Sequence, residues 1–189
     1  MAVVATGLVK DQRDLERFVY RFYKSKDMMH DLTHIRRILA SAIKISKKHK
    51  TVDLKIVKFA AYFHGIDIDA NNKRLTEYLR SKSLKTEAIK QVFRAARESQ
   101  KESVPKTIEG KILHDAHLLE GGRTFQVLKS LVTGASRGNS LQQTMDHFNA
   151  NIYGKYKCYL AENTKQYEEK EAFAREFFND LAKNLGENS

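Results

Sequence analysis

An all-α fold is what this sequence predicts, and three observations predict it. A single proline in 189 residues leaves long helical runs uninterrupted. Apolar residues recur at intervals of three and four through most of the chain. The composition, 41% hydrophobic and 30% charged, is that of a soluble globular protein, with enough chain for one well-buried core, so a single domain is expected over 1–189.

The elements follow in order. After a short start expected to be mobile, Asp11 or Asp14 can cap a first amphipathic helix over 14–26, with Leu15, Phe18, Val19 and Phe22 along one side. Asp31 is placed to cap a second, 32–50, whose Leu32, Ile35, Ile38, Leu39, Ala42 and Ile43 keep helical spacing. Thr51, Val52 and Asp53 punctuate the chain before a central helix from Leu54 to His64, apolar for most of its length and ended by Gly65. Asp67 to Lys73 reads as a loop, and short helices follow at about 75–81 and 86–98, the second with Ile89, Val92, Phe93 and Ala96 on one face. Thr107 starts another helix, which Gly121 and Gly122 end. A helix over 123–132, a flexible loop at 134–140 and two long amphipathic helices, 141–162 and 163–185, complete the expectation.

Charge narrows the ligands. With 34 Lys and Arg against 23 Asp and Glu, the net +11 predicts a surface that attracts nucleotides, nucleic-acid phosphates or acidic head groups. No basic low-complexity arm points to nucleic acid in particular, and lysine-rich solvated helix faces produce the same charge. One cysteine, Cys158, excludes an intramolecular disulfide framework and fits the cytoplasm. The beginning of the chain lacks a secretory leader pattern, and no stretch nears the ~18 apolar residues that span a bilayer, so no membrane partner is expected.

Three of the apolar helices carry polar clusters of metal-ligand type: His30, Asp31 and His34; His64; and His114 with Asp115. A divalent ion needs deprotonated ligands on separate, rigid elements, and histidines and an aspartate on packed helices meet that need. Spacing alone is weak, since a lone histidine at a helix end equally suits a cap or a core position. The surrounding segments carry more. HDLTHIRRI, VKFAAYFHGID and PKTIEGKILHDAHLLEGG resemble the HD-W-x-H-x-x-R-V, A-A-x-x-H-D-I and T-x-E-G-K-I-V-Q-D-A-D-R-L-D segments of the HD-domain superfamily of metal-dependent phosphohydrolases. MDHFNANIYGKYKCYLAE and the helix after it resemble that family's HF-x-E-K-L stretch and closing helix. The resemblance covers about residues 28 to 181 and is nearest to a small bacterial branch that includes nucleotide pyrophosphohydrolases.

The resemblance implies an HD-type helical bundle and a divalent ion (Mn, Mg, Fe, Co, Ni or Zn) held by His34, His64 and Asp115. It implies hydrolysis of a nucleotide or other small phosphate ester or anhydride by metal-activated water. Departures are visible too. Gly65 stands where the family's doublet has its aspartate, His117 where D-A-D has its second acid, and Glu98 near a position where many members carry histidine. Asp67, about one turn after His64 if the helix persists, is the candidate to supply the missing carboxylate, and otherwise a turn residue. Asp31 and Glu109 are candidates to orient a ligand or a water, and equally suit helix caps. Arg37 and Lys111, each one turn from an implied ligand, are candidates for a substrate phosphate, and equally suit ion pairs. His147 is expected behind the pocket. Two further readings stay open: a degenerate HD domain that binds a nucleotide or anion without turnover, which Gly65 favours, and a basic helical protein of nucleic acid with structural histidines.

Overall fold

A computed structural model describes residues 2–186, with side chains from 12 to 185. Among the described residues it is helical without strands: α1 Ala2–Tyr23, α2 Leu32–Ser46, α3 Leu54–Phe63, α4 Asn72–Ser81, α5 Thr86–Glu98, α6 Ile108–Leu118, α7 Gly122–Ser136, α8 Leu141–Asn151 and α9 Ala161–Gly186. None of these helices is long and apolar enough to cross a membrane.

α3 lies at the centre because its sequence is apolar on nearly every side. Ile56, Val57, Phe59 and the whole run from Ala60 to Phe63 are buried. Each such aromatic or aliphatic side chain contributes roughly 1.5–3 kcal/mol by leaving water. Asp53 caps the helix by accepting the backbone N–H groups of Lys55 and Ile56. Around α3 pack α1, α2, α5 and α6. α1 presents Leu15, Val19 and Tyr23 at four-residue spacing as one buried stripe. The Tyr62 hydroxyl donates to Glu16 (2.6 Å), which also takes a two-pronged bond from Arg36, so one carboxylate ties α1, α2 and α3 together.

A second, smaller apolar cluster joins α7, α8 and the far half of α9 through Val127, Met145, Phe148, Ala174 and Phe178. α9 belongs to both, since Tyr167 near its start packs in the main core. Lys170 on the same helix is buried, and its ammonium donates to the carbonyls of Leu118 and Glu120 (2.7 and 2.8 Å), closing the C-terminal end of α6.

Several boundaries differ from the sequence expectation. α1 begins at Ala2, so Asp14 lies within a helix and pairs with Lys82 (2.6 Å) instead of capping; the Asp11 side chain lies outside the described residues. α2 stops at Ser46, and α7 runs on to Ser136, through the first three residues of the expected loop at 134–140. The helix expected over 141–162 stops at Asn151: Gly154 takes a left-handed φ of 68°, and the chain stays irregular until α9 starts at Ala161.

Candidate metal centre

Three helix ends meet beside the main core. His34 sits in the first turn of α2, where Asp31 caps the helix by accepting the N–H groups of Thr33 and His34. His64 follows the last residue of α3, and His117 occupies the last turn of α6. Their ring centroids are 5.6 Å apart for His34 and His64, 5.4 Å for His34 and His117, and 4.4 Å for His64 and His117. One ring nitrogen of each lies within 4.8 Å of the others. His34 and His64 are nearly inaccessible, at 3% and 4% exposure.

Their hydrogen bonds decide which nitrogens face one another. The Ser99 hydroxyl has one proton and donates it to the Ala96 carbonyl (2.6 Å), so at 2.7 Å from His64 Nδ1 it accepts, and the proton of His64 is on Nδ1. The Ser99 carbonyl, 3.3 Å from His117 Nδ1, places that proton in the same way. His34 Nδ1 is 2.9 Å from a carboxylate oxygen of Glu120, a charge contact that favours a proton on Nδ1 although its angle falls outside hydrogen-bond geometry. Each imidazole therefore keeps an unprotonated Nε2 for the common centre. Burial lowers the pKa of all three, His64 and His117 well below the ordinary value, and for these two neighbouring imidazoles and Lys129 lower it further. Three neutral imidazoles with converging lone pairs and no proton between them form a set that fits a divalent transition ion.

Glu120, 1% exposed, stands behind His34 and receives Arg37 Nε (2.7 Å) and Lys129 Nζ (3.0 Å). Burial alone would raise its pKa; His34, Lys129 and Arg37 together bring it down to about 2. The carboxylate is thus ionised and occupied. Beyond the trio opens a cavity of about 330 Å³, lined on its cationic side by Lys26, Lys101, Lys129, Arg137 and Lys170, with Phe125 and Ile152 among its apolar walls.

The other residues implied by the resemblance are placed elsewhere. Asp115 is completely buried on α6 and accepts the backbone N–H groups of Tyr159 (2.8 Å) and Leu160 (2.9 Å) and the Asn163 amide (3.0 Å), so it organises the start of α9. Successive helix residues turn by about 100°, so His117, two positions on, projects to the opposite side from Asp115. Asp67 is exposed and accepts the N–H groups of Asp69 and Ala70, holding the turn before α4. Glu109 accepts the Asp53 N–H (3.1 Å) beside the start of α3. Arg37 reaches Glu120 and the Thr33 hydroxyl, with its ring partner Phe125 4.9 Å away, and neither it nor Lys111 lines the cavity. Glu98 binds the Thr107 N–H and hydroxyl, which anchors α6 to α5. Asp31 keeps its capping role, and exposed His147 does line the cavity.

Sequence reasoning passed over Ser99, Glu120, Lys129 and Lys26, and met His117 only as a departure. One signal was available: Glu120, just past the end of α6, is three residues after His117 and so falls on the side of the helix that His117 occupies and Asp115 does not.

No protein-family profile matches the sequence, and neither does any curated protein. Solved structures do match. A Listeria innocua protein aligns with TM-score 0.70 at 21% identity, over 92% of this chain and 94% of its own. Bacillus subtilis YpgQ, solved in complex with ADP, aligns at 0.68 and 20% identity, over 92% and 97%. A Bacillus thuringiensis protein described as an HD-superfamily hydrolase aligns at 0.69 and 19% identity, over 93% and 98%. This chain therefore has the HD-type all-α fold that its sequence motifs resemble.

Proposed function

We propose that the chain is a metal-dependent hydrolase of a small phosphorylated substrate, a nucleotide or another phosphate ester, whose ion is held by His34, His64 and His117. The observation that carries this reading is the convergence of one ring nitrogen from each of three histidines, within 4.8 Å of one another, at the end of a cation-lined cavity. The likeness in fold to a protein described as an HD-superfamily hydrolase and to one solved with ADP supports it. An ion bound there would supply an acidified water and a charge against a phosphoryl oxygen.

The chain's own residues do the rest. Ser99 holds two imidazoles in register, Glu120 backs the third, and Lys26 and Lys129 offer ammonium groups to an anion in the cavity. An all-imidazole set suits Zn, Fe, Co or Ni better than Mg or Mn, which prefer carboxylates and water. The cation-lined cavity favours a small anion over a nucleic-acid groove, and a free, buried Cys158 with no disulfide partner fits the cytoplasm.

One observation favours the non-hydrolytic alternative: Glu120, the buried carboxylate beside the trio, is already engaged by two cations and offers no free base. Elemental analysis of the purified protein, followed by phosphate release from a panel of nucleotides and esters, separates the two. One transition ion per chain, lost in His64→Ala, with turnover in the wild type only, is the expected result. A bound ion without turnover would favour the binding module; no ion after incubation with Zn²⁺ or Ni²⁺ would end the metal reading.

A further inference from the structure

Lys26 lies three residues beyond α1 and is half-buried. Its ammonium crosses to the carbonyl oxygen of Gly65 (2.5 Å) and rests 4.6 Å from the centre of the Tyr23 ring. Gly65 has no left-handed φ, so its backbone does not demand glycine. The one tight contact is with a movable group: a Cβ on Gly65 would stand 2.8 Å from Lys26 Nζ, the far end of a flexible side chain. At the position where the resembled doublet carries an aspartate, this chain therefore brings an ammonium on a distant lysine.

The charge follows. Position 65 contributes none, position 117 carries an imidazole where the resembled motif has an acid, and Lys26 reaches the carbonyl of the residue after His64. Glu120 is already balanced by Arg37 and Lys129. A divalent ion at the trio would share the cavity with Lys26; among the described residues the carboxylates that line it are Glu120 and Glu102, the second paired with Lys101 (3.9 Å), and concentrated positive charge in a partly buried site calls for a counter-ion. Lys26 has three N–H donors and gives one to Gly65, so two remain for a ligand in the cavity that it lines.

We propose that Lys26 is a binding residue for a phosphoryl dianion at the histidine trio: its ammonium takes the place of the doublet carboxylate, and the ligand's phosphate completes the charge of the site. This rests on the trio being the metal centre, and the test keeps the two separable. Inorganic phosphate is titrated calorimetrically into zinc-loaded and zinc-free wild type, Lys26→Met and Lys26→Arg, with zinc content measured for each. Lys26→Met is expected to bind phosphate at least about tenfold more weakly at unchanged zinc content, and Lys26→Arg to stay within about threefold of wild type. Gly65→Asp, which would pair with Lys26, is expected to weaken phosphate as Lys26→Met does. Equal phosphate affinity in wild type and Lys26→Met, no phosphate binding by wild type in either state, or loss of zinc in Lys26→Met would overturn the proposal. Zinc-free wild type that cannot be loaded, yet binds phosphate through Lys26, would sink the metal reading and with it the charge-completing role of the phosphate, leaving Lys26 as an anion-binding residue alone.

Discussion

Asp115 and His117 stand two residues apart on α6 and face two different regions of the molecule. Asp115 points into the junction with α9, where three donors consume both of its oxygens. His117 points into the cavity, where the Ser99 carbonyl takes one ring nitrogen and the other meets His34 and His64. Both are polar groups on a helix packed against the main core. A polar group whose partners are all supplied by the fold holds structure, whereas one left a lone pair facing a cavity is available to a ligand.

The largest effect that separates these regions should come from Asp115→Ala. It strips the partners from two backbone N–H groups at the start of α9, and a loss of about 3 kcal/mol or more in unfolding free energy is expected in urea denaturation. Folded protein should still hold its ion; a stable variant that had lost metal would reverse the assignment of the two residues.

His117→Ala should behave in the opposite way. Metal affinity, read by competition with a chelator, should fall more than about a hundredfold, beyond the 10–100-fold typical of groups that only orient a ligand. Metal-free stability should fall by about 1–2 kcal/mol, less than in Asp115→Ala, because one buried acceptor, the Ser99 carbonyl, loses its imidazole donor.

Ser99→Ala sharpens the picture from behind the trio. It removes the hydroxyl that fixes His64 and keeps the carbonyl that fixes His117, so metal affinity should drop by about tenfold with the stoichiometry intact. An unchanged affinity would mean that packing alone orients His64.

The smallest effect belongs to a carboxylate remote from both regions. The hydrogen bonds from Arg36, acting against burial and aided by Tyr62, bring Glu16 from an ordinary 4.5 down to about 2. A carboxyl lowered on folding adds stability that is fully present above its unfolded pKa and is lost as pH falls from about 4.5 toward 2. Allowing for solvent screening, the loss should be about 1 kcal/mol, and Glu16→Gln should flatten it while leaving the contrast between Asp115 and His117 in place.

Much of the frame was legible in the chain. The central apolar run and its start at Asp53, the Asp31 cap and the Leu15 and Val19 positions on the buried side of α1 follow from local spacing and from which side chains satisfy free backbone N–H groups, while Tyr23 on that side was not foreseen. His34 and His64 stand at the boundaries of such helices, so their ends could be located, and the structure brings the two together. The interruption between α8 and α9 was hidden, since Gly154 in a helical-looking run gains its meaning only with the backbone conformation around it.

What the sequence by itself determined is therefore the all-α class, most helix boundaries and the candidates at helix ends, because these depend on contacts within one or two turns. Which face of α6 looks into the cavity was decided by tertiary packing, since a rotation of about 200° separates Asp115 from His117 and only the neighbours of α6 select between them. The same holds for Ser99 behind two imidazoles and for Lys26 against Gly65, 39 residues away. A hydrogen bond between distant segments leaves no periodic trace in the chain, and it exists only once the core has fixed where those segments meet.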